Sequence, residues 1–353
     1  MRKFAVISGF LGSGKTTTMM ALSKYHTAHY GKAAMISNDL GGRGLADNKL
    51  ARLAGCNASE LVDECICYQN ENLAERLDKL FEDGCELVFS DIPGFGVGAL
   101  EHVYHGLEEK FPGRFELAPF TVLTEPKVVS ALRTEPGDLG FLMDAQLREA
   151  DLIVLNKCDL LDEAGREAAV SWLRETYPQA EVLCISAATG EGLDGLSHAL
   201  MEQSASMRRP DVGYGGRAFM DAMTLLSEYY IQYRAVVCCN DFDGTAYLRD
   251  LGAAVAERTT AAGREIPHLK LLAWDAEGDY GKVDLIGTDR PMETTRAFTR
   301  PCTDIAVTLN TSAACPYAEL DALVTGAAEE VSARYQLEMT VFHKECFGMG
   351  EQA

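Results

Sequence analysis

One stretch of the chain constrains its fold more than any other, the run GFLGSGKT at residues 9–16. It follows an apolar, β-branched segment (residues 3–8) typical of a buried parallel strand, and it precedes a segment (16–30) without Gly or Pro that we predict to be a helix. Glycines let successive backbone N–H groups turn toward an anion, and the following helix adds the positive end of its dipole. The stretch therefore predicts a loop that cradles the phosphates of a nucleotide. A simple glycine turn before a helix is the alternative.

The side chains of this loop have distinct expected roles. Lys15 would reach the β- and γ-phosphates, and the Thr16 hydroxyl would ligate Mg²⁺. We expect contacts with the nucleotide from the loop residues Gly9, Gly12, Ser13, Gly14, Lys15, Thr16 and Thr17.

Composition argues against several classes of partner. With 32 basic and 53 acidic side chains the formal charge is −21, a field that repels nucleic acid and anionic membrane surfaces. No run of about 18 apolar residues is present, so no membrane span is predicted. The first strand begins almost at residue 1, which predicts no targeting segment and a cytoplasmic location. The 11 cysteines are an odd number and are scattered, which favours buried thiols such as Cys184 and Cys238 over disulfides.

Two further segments follow predicted strands and fit a nucleotide site. The strand at 86–90 ends in Asp91-Ile92-Pro93-Gly94, where the Asp would hold Mg²⁺ through water and the Gly94 N–H would contact the γ-phosphate. The strand at 32–37 runs into a glycine-rich loop containing Asp39, placed to meet Mg²⁺ or the attacking water. For Asp39 a turn-capping aspartate is the alternative.

The base of the nucleotide is indicated by Asn156-Lys157-Cys158-Asp159, which follows the apolar strand 151–155. The Asp159 carboxylate can accept two hydrogen bonds from guanine that adenine cannot donate, while the Lys157 stem lies over the base and Asn156 braces the loop. After the next strand, the loop 186–190 with Ser186 and Ala187 can offer a backbone N–H to the guanine O6. The pattern predicts GTP rather than ATP.

Cys65 and Cys67 are the cysteines with a possible chemical role. On an extended segment two thiols spaced i, i+2 point to the same side and suit a soft metal. A closed site needs about four ligands, and the others would come from nearby side chains or a histidine elsewhere, the nearby ones including Cys56, Asp63, Glu64 and Cys85. Two half-buried cysteines on a strand are the alternative.

Alternating strands and helices up to about residue 205 predict an α/β fold, a P-loop NTPase domain with a mainly parallel sheet. A polar run rich in Ser, Pro and Gly (206–217) is predicted as a linker. The remainder, 218–353, has the order βα-β-βαβ, which indicates a smaller α+β domain with a split, ferredoxin-like sheet.

Together these motifs resemble the CobW/HypB/UreG family of GTPases, within the SIMIBI class. The segments GFLGSGKTTT (9–18), SNDLG (37–41), DIPG (91–94) and QLREADLIVLNKCDL (146–160) carry the resemblance. SNDLG lies where CobW-like members have Asn-Glu-Phe-Gly, and DIPG replaces their Glu-Thr-Ser-Gly. The resemblance covers residues 1 to about 205; the second half is similar to the CobW C-terminal domain in element order and position only.

This resemblance implies a GTPase that binds GTP and GDP and delivers metals such as Zn²⁺, Co²⁺ or Ni²⁺, or assists assembly of a metallocofactor. Cys65 and Cys67 match the first two cysteines of the CobW-like Cys-x-Cys-Cys motif, while Tyr68 occupies the place of the third. The implied partners are a client metalloenzyme or cofactor-delivery protein, and a nucleotide-dependent second copy of the chain.

The main hypothesis is therefore a GTP-hydrolysing metallochaperone or maturation switch, with catalytic roles for Lys15, Asp39, Asp91 and Gly94. The alternative is a regulatory GTPase that acts on a protein partner without handling metal. A P-loop kinase for a small molecule is a third possibility, which the guanine signature disfavours.

No glutamine follows Gly94, where many signalling GTPases place one to orient the attacking water. We therefore expect slow intrinsic GTP hydrolysis that a partner or dimerisation accelerates. Measuring phosphate release by the isolated protein tests this expectation, and turnover of many per second without a partner would contradict it.

Overall fold

The computed structural model describes residues 2–38, 46–61, 65–137, 139–237, 240–287 and 291–349. The chain divides into two compact units, Met1–Phe219 and Met220–Ala353. None of the helices in the described ranges combines the length and apolar character needed to cross a bilayer.

The first unit is built on a parallel sheet in the order β3-β2-β4-β1-β6-β7-β8, with the short β5 also paired with β1. Its strands are β1 (Lys3–Gly9), β2 (Ala33–Asn38), β3 (Ala58–Leu61), β4 (Leu87–Asp91), β5 (Glu116–Leu117), β6 (Thr121–Thr124), β7 (Leu152–Leu155) and β8 (Glu181–Cys184). The central strands β1, β2, β4, β6 and β7 are buried along their whole length, as expected of a parallel sheet covered on both faces.

Helices cover both faces of this sheet, and each face has its own apolar cluster. The helices are α1 (Lys15–His29), α2 (Ala46–Leu53), α3 (Asn70–Glu82), α4 (Gly106–Lys110), α5 (Pro126–Thr134), α6 (Gly140–Glu149), α7 (Glu163–Thr176) and α8 (Leu193–Glu202). Two 3₁₀ turns (Ile66–Tyr68 and Cys158–Leu160) and one π-helical turn (Leu100–His105) complete the unit. The predicted α/β fold with a mainly parallel sheet is confirmed. The strands predicted at 3–8, 32–37, 86–90 and 151–155 each agree within about one residue at either end.

The segment predicted as a linker is hydrogen-bonded to the first unit over much of its length. The Ser206 hydroxyl donates to Asp151 Oδ1 over 2.5 Å, and Arg208 Nη2 donates to the Ala150 carbonyl over 2.7 Å. The helix α9 (Arg217–Thr224) follows and contains the boundary between the two units.

The second unit is a six-stranded antiparallel sheet in the order β12-β11-β10-β13-β9-β14, with two helices packed on one apolar cluster. Its elements are β9 (Ser227–Val237), α10 (Gly244–Ala261), β10 (His268–Trp274), β11 (Tyr280–Leu285), β12 (Glu293–Arg296), β13 (Asp304–Ala313), α11 (Tyr317–Arg334) and β14 (Leu337–Gly348). The inner order β10-β13-β9-β14 is the split ferredoxin-like arrangement that the sequence predicts. Cys238, expected on the first of these strands, lies outside the described residues.

A buried tyrosine hydroxyl accepts one backbone N–H of the sheet in the first unit. Val6 on β1 lies between the stretches that pair with β5 and β6, and its N–H donates to the Tyr104 hydroxyl over 3.0 Å. Tyr104 is fully buried.

Replacing Tyr104 by Phe should leave the Val6 N–H without its acceptor and lower the free energy of unfolding by about 1–3 kcal/mol. Urea denaturation of the variant measures this loss. Tyr25→Phe, which removes a hydroxyl from an exposed bond to Asp194, is the matched control with little expected effect. Equal stability of Tyr104→Phe and the parent protein would contradict the assignment.

Candidate functional site

The predicted phosphate loop lies between β1 and α1, and its glycines have the backbone conformations that the motif requires. Gly14 has a φ of +90°, and a Cβ built on it would lie 2.4 Å from Asn156 Nδ2. Gly9 has a φ of +137°, and its Cβ would lie 2.3 Å from the Leu123 carbonyl oxygen. Larger residues would be strained and would collide with neighbouring loops, so both positions need glycine.

Lys15 begins α1 and folds back over the loop. Its Nζ donates to the Gly9 carbonyl over 2.8 Å and to the Phe10 carbonyl over 3.4 Å. The first turn of α1 contains no acidic residue, so the positive end of the helix dipole is not offset there. A phosphate group in this loop would offer Lys15 a stronger, charged acceptor than these carbonyls.

Oxygen atoms suited to Mg²⁺ lie at the start of α1 and at the end of β4. The Thr16 hydroxyl donates to Asp47 Oδ2 over 2.8 Å, and both residues are buried. Asp91 is the last residue of β4, and its Oδ1 accepts the Asn38 N–H over 2.8 Å. Hydroxyl and carboxylate oxygens form the ligand set that Mg²⁺ prefers. Asp39, predicted to share this role, lies outside the described residues.

The predicted guanine loop is tied to the phosphate loop by Asn156. Its Nδ2 donates to the Ser13 carbonyl over 2.9 Å, and its Oδ1 accepts the Ala187 N–H over 3.1 Å. The Ala187 amide thus braces Asn156, and contact of the Ser186–Ala187 loop with the base stays a prediction. Asp159 is exposed on the adjoining 3₁₀ turn.

Lys157, partly exposed, forms an ion pair with the buried Glu125 that the sequence analysis did not predict. Its Nζ donates to Glu125 Oε2 over 2.6 Å and to the Gly12 carbonyl over 2.7 Å. Glu125 is only 3% exposed and directly follows β6. The carboxylate therefore holds the ammonium of Lys157 against the phosphate loop, which positions the Lys157 stem beside the predicted base site.

The thiol segment is not extended, so the prediction of a strand carrying both cysteines is wrong. Cys65 precedes the 3₁₀ turn Ile66–Tyr68, and its sulfur accepts the Cys67 N–H over 3.5 Å. Local capping of this short turn overrides the alternation that a strand would impose. The Asn38 side chain fixes the turn, because its Oδ1 accepts the Ile66 N–H over 2.9 Å.

The two thiols are chemically unequal. A hydrogen bond from the Cys67 thiol lowers the pKa of Cys65, and that same bond together with burial raises the pKa of Cys67 well above its ordinary value. Within the described ranges no group of three or more His, Cys, Asp or Glu side chains is arranged to hold a metal ion. Asp63 and Glu64, considered as further ligands, lie outside those ranges, while Cys56 and Cys85 do not complete such a group.

The segment after Asp91 passes close to the phosphate loop and is held by α6. A Cβ on Gly94 would lie 2.6 Å from Leu11 Cδ2, so the backbone of Gly94 packs against the phosphate loop. Gln146 Nε2 donates to the Gly94 and Gly96 carbonyls over 3.1 and 2.9 Å. The Glu149 carboxylate accepts backbone N–H groups from the same segment.

The sequence analysis thus missed four polar residues of the site: Asp47, Glu125, Gln146 and Glu149. Glu125 offered a weak signal, since it follows a buried strand as Asp91 does. The two α6 residues, spaced i, i+3, resemble the polar face of an ordinary surface helix and offered none.

Replacing Glu125 by Ala should release Lys157 and lower GTP affinity about tenfold or more, because a charged hydrogen bond in a buried setting is lost. The ratio of GTP to ATP affinity should fall as well, since the change lies at the predicted base site. Isothermal titration calorimetry with both nucleotides measures the two effects. Glu181→Ala, which removes a carboxylate bonded to Gln203 at the other end of the sheet, is the control. Unchanged GTP affinity in Glu125→Ala would contradict this role.

Known proteins are similar to this chain over different shares of its length. Among curated proteins, GTPase Obg of Magnetococcus marinus is 32% identical over 146 residues, which cover 39% of this chain and 37% of that protein. This chain therefore spans little more than a third of that relative. Among solved structures, HypB from Helicobacter pylori in complex with nickel has a TM-score of 0.40 at 18% identity, covering 57% of this chain and 86% of that chain.

Zn(II)-bound YjiA GTPase from E. coli has a TM-score of 0.38 at 16% identity, covering 92% of this chain and 98% of that chain. Both structural likenesses are distant, and nothing about function follows from them. The model of the family described as "CobW/HypB/UreG, nucleotide-binding domain" matches residues 3–184, just over half of the chain. The chain belongs to the CobW/HypB/UreG family of P-loop GTPases.

Proposed function

We propose that this chain binds GTP with Mg²⁺ and hydrolyses it slowly to GDP and phosphate. The nucleotide state then controls a thiol site at Cys65 and Cys67. This site carries a transition metal to a client metalloprotein or cofactor-assembly protein. The observation that carries the proposal is a path of two buried hydrogen bonds. Asp91 Oδ1 accepts the Asn38 N–H, and Asn38 Oδ1 accepts the Ile66 N–H between the two cysteines.

In this proposal the residues of the nucleotide site have separate tasks. Lys15 and the N–H groups of residues 12–17 bind the phosphates, while Asp159 and Lys157 select guanine. Bound Mg²⁺ would neutralise charge on the β- and γ-phosphates, and Thr16, Asp91 and Asp39 are the proposed residues that hold it, with Asp47 as an addition. The N–H of Gly94 contacts the terminal phosphate until hydrolysis removes it.

Asp91 makes both the proposed Mg²⁺ contact and the hydrogen bond to the Asn38 N–H. Loss of the terminal phosphate would change the first of these contacts and so shift the Asp91 side chain. Because Asn38 is nearly fully buried and bonded at both ends, a shift at Asp91 is passed to Ile66 rather than absorbed by solvent. The turn that spaces the Cys65 and Cys67 sulfurs would then change with the nucleotide. Two thiolates are an incomplete ligand set, and a client protein or a second copy of this chain would supply the rest.

A second candidate function is a regulatory GTPase that handles no metal. The residue in the place of the third motif cysteine favours it, since Tyr68 is 61% exposed and its hydroxyl lies 2.5 Å from that of Tyr214. In this candidate the same turn would present an aromatic contact to a protein partner.

Titration of Zn²⁺, Co²⁺ and Ni²⁺ in the GDP state and with a non-hydrolysable GTP analogue separates the two functions. We expect micromolar binding of at least one metal, with affinities that differ about tenfold between nucleotide states. Cys67→Ser should lose binding in both states. Asn38→Ala, which removes the side-chain bond to Ile66 and keeps the backbone N–H that Asp91 accepts, should bind metal equally in both.

Cys346→Ser is the control and should behave as the parent protein. Cys346 lies in the second unit, where its thiol donates to the Tyr317 carbonyl. Absence of micromolar metal binding in either nucleotide state would overturn the metal proposal in favour of the regulatory function. A tenfold nucleotide effect that persists in Asn38→Ala would overturn the proposed path.

A further inference from the structure

The loop that follows Asp91 is held from one side by buried side chains of α6. We call residues 92–99 the switch loop. Gln146 Nε2 donates to the Gly94 carbonyl over 3.1 Å and to the Gly96 carbonyl over 2.9 Å. Glu149 Oε2 accepts the Gly98 N–H over 3.0 Å, and its Oε1 accepts the Leu100 N–H just beyond the loop over 3.2 Å. Gln146 and Glu149 are each only 1% exposed.

These bonds bury two polar side chains of α6. A carboxylate without a charged partner is costly to bury, and burial raises the pKa of Glu149 to about 7 even though the two backbone N–H groups act in the opposite direction. The π-helical turn that starts at Leu100 is anchored by one of these bonds. A large movement of the switch loop therefore either breaks these hydrogen bonds or moves α6 as well.

The same end of α6 holds a second segment, residues 205–214, which we call the strap. Arg208 Nη2 donates to the Glu149 carbonyl over 3.2 Å and to the Ala150 carbonyl over 2.7 Å. Arg148 Nη1 donates to the Asp211 carbonyl over 3.2 Å. Glu149 thus contacts the switch loop through its side chain and the strap through its backbone.

The strap also contacts the turn that follows the switch loop. Arg208 accepts a hydrogen bond at its carbonyl from His105 Nε2 over 3.0 Å. Tyr214 packs edge-on against His102, with ring centroids 4.8 Å apart. Beyond the strap the chain enters α9 and then the second unit.

We propose that Gln146 and Glu149 are positioning residues that pass movement of the switch loop to the strap, so that the nucleotide state changes the segment through which the chain enters its second unit. The inference rests on the proposed GTP-driven switch and adds an output distinct from the thiol turn. Two discrete arrangements are expected, because buried hydrogen bonds are made or broken rather than stretched.

Hydrogen–deuterium exchange of the full chain tests this. Peptides covering 92–100 and 205–214 are compared in the GDP state and with a non-hydrolysable GTP analogue bound with Mg²⁺. In the parent protein both segments should change exchange rate by at least about fivefold between the states. In Gln146→Ala and in Glu149→Gln the switch loop should still respond, while the response of the strap should fall clearly. Its contacts with His105 and His102 remain in both variants.

Gln179→Ala is the matched control, because that side chain also donates to an α6 carbonyl, of Leu147 over 3.2 Å, without touching the switch loop. It should keep both responses. Thermal unfolding shows which variants are folded, and either variant alone suffices for the comparison. A strap that responds equally in the folded variants overturns the inference, as does a parent protein in which only the switch loop responds. If neither segment of the parent protein responds, the GTP-driven switch itself is wrong.

Discussion

The nucleotide site depends on one side-chain amide. Asn156 donates to the carbonyl of Ser13 in the phosphate loop and accepts the N–H of Ala187 after β8, so one planar group joins loops from three strands. This contact is possible only because Gly14 lacks a Cβ, which would lie 2.4 Å from the Asn156 nitrogen. Gly14 and Asn156 belong to different motifs about 140 residues apart, and the bond forms only when both are present. Together with the bond from Lys157 Nζ to the Gly12 carbonyl, it fixes the spacing of the phosphate and base loops.

The parts of the fold that the sequence predicted share a physical origin. A strand buried on both faces must be apolar throughout, and polar residues that follow it must lie at the carboxyl edge of the sheet. That rule placed Asp91 and Asn156 at this edge and predicted a mainly parallel sheet in the first unit. The second unit followed from the order of its elements alone. Short edge elements such as β5 and β12, with two and four residues, carry too few side chains to show a pattern.

The rest of the site could not be predicted, because it depends on contacts between distant segments. Glu125 and Glu149 each stand beside a helix end and look like surface residues, yet each is at least 97% buried. Their burial is favourable only with their partners, Lys157 for one and two backbone N–H groups for the other. The prediction of a strand at Cys65 and Cys67 was wrong for a different reason. The spacing of Cys65 and Cys67 fits a strand or a tight turn equally, and the decisive bond comes from Asn38 on β2.

Two chains of contacts, called routes below, start at Asp91 in the proposed nucleotide site. Toward β2 its carboxylate bonds Asn38 and, through it, the thiol turn. Along the chain it leads into the switch loop, which α6 connects to the strap. The routes share Asp91 and none of the other residues that form them, so a substitution beyond Asp91 on one route should leave the other route largely intact. In the proposed switch, loss of the terminal phosphate would therefore have two outputs of different strength. The short route has two bonds, both buried. The long route reaches the strap through the partly buried bonds of Arg208 to the Glu149 and Ala150 carbonyls and the exposed bond of Arg148 to the Asp211 carbonyl, for which solvent competes. In the proposed switch the thiol turn would therefore be the more tightly coupled of the two, and the strap would be the output that a binding partner could most easily strengthen or release.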